Sequence, residues 1–118
     1  MNVLESIVLN FLQARVSVPV YTILPANFEV PCIVIEKTAG GYSDTILSAT
    51  LAVQCYGADL EGAAVLNDDV KWLLLNEFIN EAQVLGIELN SDYNFTDTTT
   101  EHFRYQAVYD VRYYRKDE

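Results

Sequence analysis

Near the end of the chain, Phe103, Tyr105, Ala107, Tyr109, Val111 and Tyr113 alternate with His102, Arg104, Gln106, Val108, Asp110, Arg112 and Tyr114. A period of two sends the first set to one face of a β-strand and the second to the other. The first face is apolar enough to pack under helices, while the second is amphipathic. At ~3.3 Å per residue, positions 103–113 extend about 36 Å. A compact chain of 118 residues is only about 35 Å across. A strand of that length therefore crosses the molecule from edge to edge, and loops at its ends project. Its free edges also need covering, which a neighbouring subunit can do.

The rest of the chain supplies partners for such a strand. Val3, Leu4, Ile7, Val8, Phe11 and Leu12 are spaced for one helix face over 2–14, with Asn2 as a candidate cap. Pro19 prevents continuation, and 20–23 reads as a short strand. The run 32–38 predicts a second strand, and the paired glycines in 39–43 predict a turn. A third alternating strand is expected over 44–56, pairing with the second as an antiparallel hairpin. Asp59 is placed to cap a helix reaching about Asn80, with Leu60, Ala63, Ala64, Asn67, Val70, Leu74 and Phe78 on one stripe. Trp72 and Leu75 widen that stripe, which implies contact on more than one side. A short strand at 87–89 and a polar loop at 90–101 lead to the final strand. The order α-β-β-β-α-β-β specifies an α+β fold with a mainly antiparallel sheet covered by two helices, spanning 1–118 as one domain.

Charge narrows the function. Seventeen acidic residues against seven basic ones leave a net charge of −10, which repels a phosphate backbone. The exception is local, since Arg104, Arg112, Arg115 and Lys116 all lie in the last fifteen positions. No apolar run approaches the ~18 residues that a membrane span needs, and no signal peptide is expected at the N-terminus. Cys32 and Cys55 fall within strands as small apolar residues.

Chemical motifs are sparse. His102 has no nucleophile or orienting carboxylate in recognisable arrangement. Asp92, Asn94, Thr96 and Asp97 have part of the spacing of a calcium loop, but it lacks glycine at its sixth position and glutamate at its twelfth. These side chains are expected to bond local backbone groups instead. No metal or cofactor is assigned. The aromatics outside the core pattern, Tyr42, Tyr93 and Phe95, are candidate contact residues, joined by Arg104, Arg112 and Tyr114 on the outward face of the last strand.

Three stretches carry a family likeness: Val30-Pro-Cys-Ile-Val-Ile-Glu-Lys-Thr-Ala-Gly-Gly41, Ala49-Thr-Leu-Ala-Val-Gln-Cys-Tyr56 with the helix 61–71, and 89–114. In the last, Ser91-Asp-Tyr-Asn-Phe-Thr-Asp97 leads into Arg104-Tyr-Gln-Ala-Val-Tyr109. In these the chain resembles the tail terminator (tail completion) proteins of long-tailed bacteriophages. The resemblance implies a non-enzymatic assembly protein that forms a hexameric ring on the head-proximal end of the tail tube. Its implied partners are copies of itself, the tail tube protein and a head completion or connector protein, with DNA passing through the lumen unbound. It implies assembly in the bacterial cytoplasm and residence in the virion tail, with no membrane partner. An alternative from the charge alone is an acidic DNA mimic that inhibits a nucleic-acid-binding protein. That role needs carboxylates at phosphate-like spacing, whereas here they are scattered over strand, loop and helix.

Overall fold

The computed structural model describes residues 3–114. The cap expected at Asn2 and the basic positions Arg115 and Lys116 lie outside the described residues. The fold is α+β: helix α1 (Leu4–Gln13), strands β1 (Val20–Tyr21), β2 (Cys32–Ser43) and β3 (Ile46–Gly57), helix α2 (Leu60–Asn76), then β4 (Val84–Asn94) and β5 (Phe103–Tyr114). The sheet order is β1-β2-β3-β5-β4, antiparallel except where β1 meets β2. Strands β3 and β4 run parallel with β5 inserted between them, so β3-α2-β4 is a split crossover unit.

The alternating strand expected at the C-terminus lies inside this frame, between β3 and β4. Strand β5 pairs with β3 along twelve consecutive positions, from Ile46 opposite Tyr114 to Gly57 opposite Phe103, with no register shift. Ala107, Tyr109, Val111 and Tyr113 are buried on the helix side with Leu51 and Val53 of β3 and Ile33 and Ile35 of β2. Helix α1 adds Leu4, Val8, Phe11 and Leu12 to that core, and α2 adds Val70 and Leu74. The molecule measures 44 × 25 × 24 Å, so the long strands set its long axis.

Besides β1, which stops at Tyr21 and not at Ile23, three expected boundaries move. Ala39, Gly40 and Gly41 are not a turn: β2 continues through them to Ser43, and no glycine has a positive φ. The hairpin turns instead at Asp44 and Thr45, whose φ values of 51° and 66° are those of a two-residue turn matched to strand twist. The extra length of β2 is accommodated by a register shift between Lys37 and Ala39. Second, α2 stops at Asn76 and not at Asn80, because a 3-10 turn (Phe78–Asn80) swings Phe78 into the core. There its ring meets Phe11 edge-on at 5.1 Å. Third, β4 is not the short 87–89 strand but eleven residues long, and the polar loop shrinks to 95–102. Asn90, Ser91, Asp92 and Asn94 have low strand propensity, but β5 offers its whole backbone edge as a partner, and pairing overrides propensity.

Candidate interaction surface

With the helix-side core filled, the opposite face of the sheet is open over most of its length. Directly paired residues share a face, so the register writes the open face as rows. One row is Tyr93, Gln106, Gln54 and Val34; another is Glu88, Asp110 and Thr50; a third is Gly86, Arg112, Ser48 and Gly41. The polar rows are stitched together. Gln54 Nε2 donates to Gln106 Oε1 at 2.8 Å, and Gln106 Nε2 donates to the Tyr93 hydroxyl. Asn90 Nδ2 donates to Asp110 Oδ2 at 3.0 Å, and Thr50 donates to the other carboxylate oxygen at 3.4 Å.

The six candidate contact residues separate into two groups at opposite ends of the sheet. Tyr93, Phe95 and Arg104 lie near the Gly57–Phe103 end. Arg104 there donates to the Phe95 carbonyl at 2.7 Å and to the Tyr56 hydroxyl at 2.8 Å, with its guanidinium 4.5 Å from the Phe95 ring centroid. Tyr93 meets Phe95 edge-on at 5.7 Å. This is a braced cluster, because each aromatic ring has a cation or a ring against it. Tyr56 itself is buried, with Phe28 from the 22–31 connection edge-on to it at 5.3 Å and to His102 at 5.0 Å. The polar-face position of Tyr56 was legible in the alternation of the third strand. The contribution of Phe28 had no local signal, since it comes from an irregular segment.

Tyr42, Arg112 and Tyr114 occupy the other end, near the hairpin turn. Tyr42 is 69% exposed, and its pairing with Leu47 puts it on the helix side beyond the helices. Arg112 and Tyr114 are on the open face, where Arg112 lies over Gly86. Beside it runs a shallow groove of about 470 Å³, lined by Ala39, Ser48, Thr50, Glu88 and Asp110 among others. Tyr42 and Tyr93 are strand residues, not the loop residues the sequence implied; Phe95 follows β4 directly.

The polar loop binds itself. Asn94 Oδ1 accepts from the Thr96 amide at 2.9 Å, and Asp97 Oδ1 accepts from the Thr99 amide at 2.9 Å and from that of Thr100 at 3.4 Å. Bonding to Thr100, then to the Thr99 amide, holds the Asp97 carboxyl below its usual range. His102 Nδ1 lies 3.1 Å from the Thr100 hydroxyl. Asp92 is turned to the helix side, accepting from Asn67 Nδ2 at 2.7 Å and pairing with Lys71. Asn67 is buried, so this bond fixes α2 against β4.

Helix α2 also keeps an outward apolar face that the described residues leave uncovered. Trp72 is 57% exposed and Val65 54%. The contact on a second side that Trp72 implied is therefore not made among the described residues. The sequence signal for this face was the seven-residue separation of Val65 and Trp72, opposite the buried Ala63, Asn67, Val70 and Leu74. Among the described residues, no group of three His, Cys, Asp or Glu side chains is arranged to hold a metal, and no helix is long and apolar enough to cross a membrane. No family model matches the chain, and no curated protein matches it either.

Proposed function

We propose that this chain is a structural assembly protein that caps a phage tail tube as a ring and has no enzymatic activity. The observation that carries the reading is the likeness of residues 89–114 to tail terminators, a stretch that here forms β4, β5 and the loop between them. What supports it physically is the distribution of unfinished surface. A ring cap needs a lateral contact that closes by cyclic symmetry and an axial contact that masks the last tube ring. The elongated sheet carries exposed aromatics at both ends and, among the described residues, an unpaired edge along β4. Its acidic charge suits a lumen through which DNA slides without adhering.

The test is assembly. Particles made without the protein are expected to carry tails of irregular, excessive length that fail to join heads, and adding purified protein restores defined length by electron microscopy. Normal, head-attached tails in its absence would refute the proposal.

A further inference from the structure

An apolar groove of about 520 Å³ opens beside the N-terminal half of α2, where β3 ends. Pro31, Val65 and Leu66 contribute its floor, and Asp59, Glu61 and Asp69 stand around it. No lysine or arginine lines it, and none of these three carboxylates makes an ion pair among the described residues. The exposed Val65 and Trp72 extend the apolar strip along the helix. Apolar surface bordered by a single sign of charge fits a segment that is aromatic and carries the opposite sign.

Tyr114-Arg-Lys116 is such a segment, an aromatic residue followed by two of the chain's seven basic residues. Its described part emerges on β5 with Tyr114 exposed. The segment cannot reach the groove of its own chain. Tyr114 pairs with Ile46, whereas the groove lies at Gly57, the other end of β3. That separation is about 36 Å at ~3.3 Å per residue. Arg115 and Lys116, the next two residues, reach at most about 7 Å beyond Tyr114.

We infer that Tyr114, Arg115 and Lys116 of one copy dock in the Pro31, Val65 and Leu66 groove of the next, with Arg115 and Lys116 against Glu61 and Asp69. The contact joins opposite ends of the molecule, so it is head-to-tail: it closes into a ring if the rotation permits and otherwise propagates as an open chain. It deepens the ring reading by naming the lateral contact, and rests on that reading only for closure. Asp117 and Glu118 oppose the acidic groove, so the pair Asp117→Asn and Glu118→Gln tightens the contact.

Sedimentation of the full chain tests this. Association is expected at about 10 mM salt and is lost at about 1 M, as the screening length falls from ~30 to ~3 Å. A groove variant, Glu61→Lys with Asp69→Lys, and a tail variant, Arg115→Glu with Lys116→Glu, each weaken self-association about tenfold or more. Mixed in equal amounts they associate again, because each groove then meets a tail of opposite charge; that recovery excludes misfolding as the cause. A wild-type chain that stays monomeric at about millimolar concentration in low salt overturns the inference, as does parent-like association of either variant alone or a mixture that stays monomeric. Tail length in assembled particles judges the capping role separately: normal tails without the protein sink that role and leave the contact standing.

Discussion

Gly57 is where the strand-helix corner is most sensitive. A Cβ built there lies 2.4 Å from the Ala63 nitrogen and 2.9 Å from both the Ala63 Cα and the Gly62 carbonyl carbon. All three are backbone atoms of the first turn of α2, which cannot rotate away as a side chain does. Gly57→Ala must therefore push the helix start off the end of β3 by roughly 1 Å, since carbon contacts sit near ~3.5 Å. Overpacking of this kind costs about 1–3 kcal/mol. Displacing the turn also disturbs the bond from the Gly62 amide to the Asp59 carboxylate, now 2.7 Å, worth about 1 kcal/mol as a helix cap. A total of about 2–4 kcal/mol follows. For 118 residues the unfolding entropy is about 0.25 kcal/mol/K, so each kcal/mol lowers the melting temperature by about 4 °C. Thermal unfolding followed by circular dichroism should show Gly57→Ala melting about 8–16 °C below the parent. Gly40→Ala is the internal comparison, because its Cβ comes close only to the mobile end of Lys37, at 3.0–3.2 Å, meets the Ser48 carbonyl oxygen at an ordinary 3.5 Å, and φ is not positive. It should change stability by less than ~0.5 kcal/mol, or raise it. Gly57→Ala melting within ~2 °C of the parent, or Gly40→Ala falling as far as Gly57→Ala, refutes this account of the two sites.

The hairpin turn holds a β-branched residue at φ 66°, so Thr45→Gly should stabilise by about 0.5–1 kcal/mol in urea unfolding, and a loss of stability contradicts the turn geometry. Asp92→Ala removes the acceptor for buried Asn67 and the partner of Lys71; a cost of about 1–3 kcal/mol is expected. Asp68→Ala, which removes only the exposed partner of the same lysine, should cost less than ~0.5 kcal/mol, and equal costs would contradict the assignment. Burial pushes the Tyr109 phenol and the Cys55 thiol up, and bonding to Asp92 raises Lys71. The unfolded chain then releases these protons at lower pH than the folded one, so stability is full below about pH 8.5 and falls as pH rises through ~10. Each fully buried group adds a slope of up to ~1.4 kcal/mol per pH unit. Tyr109→Phe should flatten that fall in urea midpoints measured against pH; an unchanged slope removes Tyr109 from the explanation.

Local pattern was sufficient for much of this molecule. The alternation of 103–113, the helical spacing of Leu4, Val8, Phe11 and Leu12, and Asp59 before an apolar-periodic run are short-range signals, and α1, β5 and the start of α2 follow them. The exposed aromatics at Tyr42, Tyr93 and Tyr114 were visible for the same reason, as large rings outside any buried period. Three features depended on contacts distant in sequence. Gly40 and Gly41 read as a turn, but β3 pairs with them and holds them extended, so the reversal moves to Asp44 and Thr45. Residues 90–94 read as loop, but the edge of β5 and the bonds from Asn67 and Lys71 to Asp92 hold them in β4. The groove beside α2 arises where Pro31, Gly57 and Val65 meet, three segments that share no periodicity. Periodicity dictates which face of an element is apolar. Only the assembled sheet dictates where an element stops and which faces are left without a neighbour, because strand length and exposure are set by partners that no local window contains.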